Sequence, residues 1–428
     1  MENGIFTDME ATTSFFESIL GIKPPWHITR VTHDNANNRV DLYVEHDKGI
    51  RFPCPKCNEF CSIYDHAPER EFRHLNVFNF KTYIHVRIPR VNCPKDGIDQ
   101  IEHGLADPNS TVTYDFEKMV IDLELECSIE SISRILNVEW HLCQRIQERA
   151  VDRGRLRKGM VLPKHVGIDE KSFAKGHKYE TVVYDTEKGT VEDVIDDREQ
   201  NSLESYFKQF SLEQRDSVET VSMDMWDPYI AATKAFIPRA DEKIVFDRYH
   251  VTKIVTQAVD KVRKEEHRWL MEQGNDILKG TKYLWLWNEE NIPEFRRDEF
   301  ERLRSQDLKV CKAQALKENV RNLWNYKSTG WMDKFFKRWY FWATHSRLKP
   351  MIAAANTLKS HIKNILTYAK HHITNAIGES INSRIEKMKR LACGYRNRLH
   401  YRIAILFHCG GLDLYPRRKN VVFQIMAS

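Results

Sequence analysis

The sequence predicts an α/β core of ribonuclease-H-like order, interrupted by an all-α insertion and preceded by two small modules, and three observations carry that prediction. Between 161 and 250 the runs "HVGID", "KYETVVYD" and "TVEDVIDD" read as three strands, "NSLESYFKQF" as an amphipathic helix, "VETVSMD" as a buried strand, "DPYIAATKAFIP" as a helix and "KIVFD" as a strand. From "DRYHVTKIVTQAVDKVRKEEHRWL" to "AANTLKSHIKNILTYAK" the pattern is helical throughout, too long for one connection within a sheet. Before the core stand a cysteine pair, "CPKC", and a pair of short amphipathic helices.

In chain order, "WHITRVTHDNANNRVDLYVEH" gives two alternating strands joined by an Asn-rich turn. Cys54 and Cys57 follow, and the alternating run "FKTYIHVRIPRVNC" ends at Cys93. Cys-x-x-Cys at a turn, with a further cysteine after a hairpin, has the layout of a zinc ribbon, because one tight knuckle offers two thiolates to one tetrahedral ion. One structural Zn2+ is expected, held by Cys54, Cys57, Cys93 and a fourth ligand. Asp96 is taken for that place, with Cys61, His66, His74 and His103 as competitors.

Within "SIESISRILNVEWHLCQRIQERAV" the apolar residues Ile129, Ile132, Ile135 and Leu136 are followed by a break at Asn137, then by Leu142, Ile146 and Ala150. Two helices about a tight turn predict a helix-turn-helix, with Trp140, His141, Gln144 and Arg145 facing outward. The tail that follows carries Arg155, Arg157 and Lys158. Arg145 to Lys164 holds seven Lys/Arg against two acids, and Ser380 to Arg398 holds six against one, although the chain's net charge is only +5. Such blocks suit a polyanion partner, here double-stranded DNA.

The core strands carry the chemistry. Asp169 and Glu170 stand where the first strand is expected to stop, beside Lys171, Lys175 and His177, and Asp224 ends the fourth strand. In the expected order those strands are adjacent and parallel, so Asp169 and Asp224 emerge side by side. Carboxylates that close repel unless divalent cations lie between them, and hard oxygen ligands suit two Mg2+ or Mn2+ ions. Strand alternation turns Glu170 to the other face. The third acid is sought beyond the insertion, 155 residues after Asp224. There "TNAIGESINSRIEKMKRLACGYRN" is a helix entered through Asn375 and Gly378. It carries Glu379 near its start and Arg384, Lys387 and Arg390 further on. Asn382 and Glu386 share its face and are set aside as a weaker ligand and a more distant one. The tryptophans of "KYLWLWN" and "WMDKFFKRWYFW" are assigned to the core of the insertion, and Cys311, Cys393 and Cys409 to inert buried thiols.

With "CPKC", "FRHL", "GIDEKSFAKGH", "VSMDMWDPY", "VFDRYHV", "TNAIGESIN" and "LFHCGGLDLYP" in place, the chain resembles, over essentially its whole length, the transposases of bacterial insertion sequences of the ISL-three family, of the DDE class. The resemblance implies that Asp169, Asp224 and Glu379 are the catalytic, metal-binding triad, and that Asp247 and His250 form a supporting D-x-x-H element. It implies cleavage at terminal inverted repeats and transfer of the 3′ ends to target DNA, by a homodimer or higher oligomer on the DNA. Where many members read "CPEHG" this chain reads "CPKDG", which puts Asp96 at a position for a histidine ligand. The rival functions are a DNA-binding regulator that keeps the fold without the chemistry, and a nuclease without strand joining.

The expected domains are a zinc-ribbon-like module over 1–110, the helix-turn-helix over 111–160, the first part of the core over 161–250, the helical insertion over 251–365, and the C-terminal core helix and tail over 366–428. With 41% hydrophobic and 30% charged residues, no segment approaching about eighteen uninterrupted apolar residues, and no signal-peptide pattern at the start, a cytoplasmic protein, nucleoid-associated when on DNA and with no membrane partner, is expected. Nine unevenly spaced cysteines fit reduced thiols and a metal site rather than a disulfide framework.

Overall fold

The computed structural model describes residues 9–174, 178–372 and 376–417; Lys175, His177 and Asn375 lie outside them. The chain forms two compact units, Met1–Lys158 with Leu412–Ser428, and Gly159–Gly411.

In the first unit helix α1 (Met9–Leu20) precedes eight strands: β1 (Trp26–Asp34), β2 (Arg39–His46), β3 (Arg51–Pro53), β4 (Phe60–His66), β5 (Arg70–Val77), β6 (Phe80–Val86), β7 (Pro89–Cys93) and β8 (Gly97–Gln100). They form two four-stranded sheets, ordered β1-β2-β6-β5 and β3-β4-β7-β8. The alternating run that reads as one strand, 80–93, is therefore two, in different sheets. Pro89 opens the second, where a missing N–H costs least. Trp26, Leu42, Phe52, Phe72 and Ile84 fill the core beneath.

Helices α2 (Tyr114–Glu124), α3 (Ile129–Leu136) and α4 (Trp140–Lys158) follow. Thr113 and Ser128 cap the first two by accepting the amides of Phe116 and Ser131. Asn137, in the left-handed region at φ 51°, ends α3 and makes the tight turn. Of the four apolar positions expected on α3, Ile132 is fully buried and Ile135 is 61% exposed.

Two buried acids of α2 meet different fates. Glu117 is paired with Arg149 at 2.8 Å and Arg153 at 2.5 Å. Glu124, 1% exposed, has no hydrogen-bond partner among the described residues for either carboxylate oxygen, and burial, aided by the Glu117 charge, holds its carboxyl well above the ordinary range. It is neutral in the folded state and ionised in the unfolded one at neutral pH. The native state then binds the extra proton, so stability falls as pH rises from the unfolded value near ~4.3 toward the raised native one. Glu124→Leu is expected to add about 1–3 kcal/mol at neutral pH and to flatten that slope, read from thermal melts across pH 5–8. A variant that melts earlier with an unchanged slope counts against this.

The C-terminal segment completes the first unit. Arg153 donates to the carbonyl of Leu414 at 2.6 Å, Arg157 to those of Asp413 at 3.1 Å and Tyr415 at 2.7 Å, and the Tyr415 hydroxyl to Asp122 at 2.7 Å. A Cβ on Gly154 would meet the Cβ of Leu412 at 2.6 Å, so glycine is what lets the segment lie against α4. The expected C-terminal stretch 366–428 is thus divided: the carbonyls of residues 413–415 are bound by arginines of α4.

The second unit is built on a five-stranded sheet of β9 (His165–Ala174), β10 (Lys178–Asp185), β11 (Thr190–Asp196), β12 (Thr220–Met223) and β13 (Ile244–Phe246), in the order β11-β10-β9-β12-β13. The first three pair antiparallel, and β12 runs parallel to both β9 and β13. Helices α5 (Gln200–Phe207), α6 (Leu212–Asp216), α7 (Asp227–Phe236) and α8 (Ala240–Lys243) connect the later strands.

The helical insertion runs from α9 (Arg248–Glu272) through α10 (Lys282–Leu286), α11 (Glu294–Arg304), α12 (Lys309–Arg321), α13 (Thr329–Thr344), α14 (Lys349–Ser360), α15 (Ile362–Leu366) and α16 (Tyr368–His371). Val251, Val255, Val259 and Val262 recur at helical spacing along the buried face of α9 and join one apolar core with the sheet residues Val221 and Phe246 and with Trp285 and Trp339 of the insertion. Trp331 and Trp342 are exposed. Helices α17 (Ala376–Leu391) and α18 (Arg398–Cys409) close the unit. Cys409 is buried and Cys311 partly so, whereas Cys393, at φ 52° past the end of α17, is exposed and not the buried thiol expected.

Candidate functional site

Strand register places the acids of the second unit. Thr220, Val221 and Ser222 pair with His165, Val166 and Gly167, so continuing the register sets Asp224 level with Asp169. Asp169 is not at a strand end, as the sequence suggests: β9 runs on to Ala174 and pairs Asp169 with Val182 of β10. It is the partnership with β12 that ends there, and this leaves one edge of β9 open beside the acid.

Next to β12, the amide of Asp247 donates to the carbonyl of Met223 at 3.2 Å. The Asp247 side chain then caps α9, accepting the amide of Tyr249 at 2.9 Å. His250 lies in the first turn of α9, its Nδ1 3.0 Å from Asp224 and its Nε2 3.8 Å from Asp247. Ligand atoms of Asp224, Asp247 and His250 lie within 4.8 Å of one another. Among the described residues no such group of three includes Asp169 or Glu379.

The acids are crowded and largely out of water. Burial, and then the charges of Asp169, Asp247 and Glu170, push the Asp224 carboxyl up to about 8. Burial holds the His250 imidazole below its ordinary value, against the pull of Asp247. Glu170 is paired with Arg198 at 3.1 Å, and Arg198 lies between the rings of Tyr179 and Trp226, 4.4 Å and 4.7 Å from their centroids. Such a concentration of hard oxygen donors fits divalent cations, which would relieve the repulsion that raises Asp224.

Helix α17 lies beside this sheet: Lys389 donates to the carbonyl of Ser172 at 2.6 Å and Arg384 to that of Gly189 at 2.7 Å. The residue that reaches the acids is Asn382, whose amide donates to Asp169 Oδ2 at 2.5 Å. Glu379, one turn earlier, is exposed. Arg384 thus spends its guanidinium on a backbone carbonyl, while Lys387 and Arg390 are exposed on the same helix.

Sequence reasoning missed Tyr184. It is the cross-strand partner of Gly167, and a Cβ on Gly167 would meet its ring at 2.2 Å. The ring fills that gap beneath the acids, and burial together with the charges of Asp169, Asp247 and Asp224 keeps its phenol protonated. A glycine within a strand was the signal that could have found it.

In the first unit Cys54, Cys57, Cys93 and Asp96 bring four ligand atoms within 4.8 Å. Cys57 and Cys93 are 3.4 Å apart, and Asp96 Oδ2 is 3.4 Å from Cys54 and 3.5 Å from Cys93. Three sulfurs and one oxygen at tetrahedral-edge spacing fit zinc. Three competitors are placed elsewhere, His66 on His46 at 2.8 Å, His74 on Thr113 at 2.8 Å and His103 buried against Phe72, while Cys61 lies against Cys93 but outside the group of four and donates to the carbonyl of Glu59 at 3.3 Å.

On α4, His141 and Arg145 are exposed and Trp140 is half-buried. Gln144 is not outward as expected. It is 4% exposed and donates to Glu148 at 3.1 Å, because α4 packs on both α2 and α3 and its covered face is wider than the apolar stripe of Cys143, Ile146 and Ala150. Arg155 is exposed and Lys158 half-buried, while Arg157 is committed to the C-terminal carbonyls and so is not a free cation for DNA.

Residues 166–405 match a family model for the transposases of ISL3-type elements, described as "Transposase". Residues 51–96 match one described as the zinc-finger of the transposases of IS204, IS1001, IS1096 and IS1165. A transposase for insertion sequence element IS1001 of Bordetella parapertussis is 25% identical over 381 residues, covering 87% of this chain and 92% of that relative. A transposase for element IS1557 of Mycobacterium tuberculosis is 24% identical over 435 residues, covering 95% and 97%. Among the described residues no helix is long and apolar enough to cross a membrane.

Proposed function

Because the chain belongs to the ISL3 family of transposases, we propose that it is a DDE transposase that binds the terminal inverted repeats of an insertion sequence, cuts DNA phosphodiesters and transfers the 3′ ends to target DNA. The observation that carries this reading is the gathering of Asp224, Asp247 and His250 within 4.8 Å of one another, with Asp169 level with Asp224 on the neighbouring strand, a crowding of carboxylates that a divalent cation would relieve. The 3-2-1-4-5 order of the sheet supports a ribonuclease-H-like core. Asp169, Asp224 and Glu379 are the proposed ligands of two Mg2+ or Mn2+ ions. The Asn382 to Asp169 bond supports Glu379, because it brings the face that the two residues share on α17 to the acids. Held by those carboxylates, such ions would supply Lewis-acid activation of a water or 3′-hydroxyl and stabilisation of the leaving oxygen.

The protein's own groups do the rest. His250 bonds Asp224 and fixes the direction of its carboxylate, Asp247 holds the start of α9 against β12, and Tyr184 fills the space below. The paired α3 and α4, with a turn at Asn137, support a helix-turn-helix that reads DNA through Trp140, His141 and Arg145, with Arg155 and Lys158 on phosphates. A homodimer or higher oligomer on DNA is part of the proposal.

The test is to incubate the whole chain with DNA carrying an element end and a target, with Mg2+ or Mn2+, and to assay both nicked ends and joined products. Binding without cleavage in either ion would make it a regulator, and cleavage without joining a nuclease. Arg145→Ala is expected to weaken end binding and to lower the slope of log Kd against log salt by about one. An unchanged slope removes Arg145 from the interface. The whole chain is needed, since a fragment ending at 160 lacks the carbonyls that Arg153 and Arg157 bind.

A further inference from the structure

A cavity of about 680 Å³ opens in the helical insertion, and its wall includes the two residues that stand between Asp247 and His250 in the chain, Arg248 and Tyr249. The rest of the wall brings the side-chain amides of Asn288, Asn322 and Asn325, the ring of Trp324, and Glu289, Glu290, Glu318 and Arg321. Its size is that of a ligand site.

The charges narrow the ligand. Three carboxylates against two guanidiniums give no surplus of positive charge, so a free phosphate is not what the cavity as a whole selects. Nor is it a cation site, because every carboxylate is already paired: Glu289 with Arg304 at 2.8 Å, Glu290 with Arg321 at 2.9 Å, and Glu318 with Arg321 at 2.5 Å. Three amides remain beside aromatic faces, each able both to donate and to accept: that of Asn288, and those of Asn322 and Asn325, the latter donating to the former in a long bond of 3.4 Å. Tyr249 is 62% exposed, with its ring set on edge against His250. Arg248 has its guanidinium 5.6 Å from the ring centroids of both Trp324 and Tyr368 and donates to the Tyr368 hydroxyl at 3.2 Å. Among the described residues it has no carboxylate partner. Amides that meet the edge of a base, an open ring that takes its face, and one fixed cation for the phosphate attached to it form the chemistry of a nucleotide in single-stranded form.

We infer that this cavity receives one unpaired nucleotide of the DNA strand next to the bond to be cut. The base lies on Tyr249 with its edge toward Asn288, Asn322 and Asn325, and the phosphate lies at Arg248. Since Arg248 and Tyr249 share the first turn of α9 with His250, a strand held there is drawn open within one helical turn of the acids. This rests on the transposase reading and adds to it the state of the substrate: the end is frayed, not fully paired, when it is cut.

The test uses the whole chain in metal-free buffer with two probes, a blunt duplex and the same duplex carrying one unpaired 2-aminopurine nucleotide at its 3′ end. The wild type is expected to bind the second about tenfold more tightly and to quench its fluorescence, the size of effect that one stacked base gives. Tyr249→Ala should bind the blunt duplex as the wild type does and lose both the preference and the quenching, while Tyr249→Phe keeps both. Asn288→Ala should lose part of the preference and keep the quenching. Equal affinity of the wild type for the two probes, or a Tyr249→Ala protein that keeps preference and quenching, overturns the cavity assignment and leaves the transposase reading standing. Failure to bind either duplex overturns both.

Discussion

Asp224→Asn is expected to lower metal-dependent cleavage of an element end by at least about a thousandfold while end binding changes less than about twofold. The asymmetry follows from where the charge is. Asp224 is largely out of water, level with Asp169 and close to Asp247, so burial and then those charges push its carboxyl up to about 8. Replacing it by an amide relieves the repulsion, which favours the fold, and removes a hard ligand, which removes the chemistry. Melting temperature should therefore rise or hold while activity disappears. Glu379→Gln is expected to be equally inactive, and Glu386→Gln to keep most activity. An inactive Glu386→Gln beside an active Glu379→Gln would show that α17 meets the ions one or two turns further along. Gels of end cleavage, filter binding of the same DNA and thermal melts of the four proteins decide the matter.

Cys54→Ser is expected to release one equivalent of zinc and to unfold the β3-β4-β7-β8 sheet. The ligands come from the turn after β3 and from both sides of the turn between β7 and β8, so the metal clamps the turns of two hairpins that the β4–β7 ladder joins along the sheet. A structural zinc supplies about 10–16 kcal/mol at neutral pH, more than a sheet of this size gains from its own core. Asp96→His should keep the zinc, because an imidazole nitrogen replaces a carboxylate oxygen in the same tetrahedral set, whereas Asp96→Ala should hold it more weakly. Metal content after dialysis against a chelator, with near-ultraviolet circular dichroism, reads both effects. A fully folded wild type free of metal would refute the assignment.

Much of this was legible in the chain. The alternation in "HVGID", "KYETVVYD" and "TVEDVIDD", followed by a helix and "VETVSMD", is enough to order the sheet, because each strand's period and the parallel crossover leave few alternatives. "CPKC" and "VNC" named three of the four residues that meet in the first unit, and Asp96 was one of five candidates for the fourth place. What was not legible depended on which surface covers which. Gln144 sits beside the apolar stripe of α4, and only the presence of both α2 and α3 buries it. Arg157 belongs to a run of basic residues that reads as a solvated or DNA-facing tail, yet its partners are carbonyls more than 250 residues away. Asn382 was set aside as a poor ligand for a hard cation and proved to be the residue bonded to Asp169. Periodicity gives the face of an element but not its neighbour.

The return of residues 412–415 to α4 sets a timetable for the chain as it is made. Arg153 leaves the ribosome 261 residues before Leu414, whose carbonyl it binds, and at roughly 5–20 residues per second that is a wait of roughly 13–50 s. Through that interval α4 exists without the carbonyls that Arg153 and Arg157 bind and with Gly154 uncovered, while the whole of the second unit is being synthesised. The first unit to begin folding is thus the last to be finished. A chain that stops early carries an N-terminal unit lacking its final strap, so the state of that unit records whether the rest of the protein was completed.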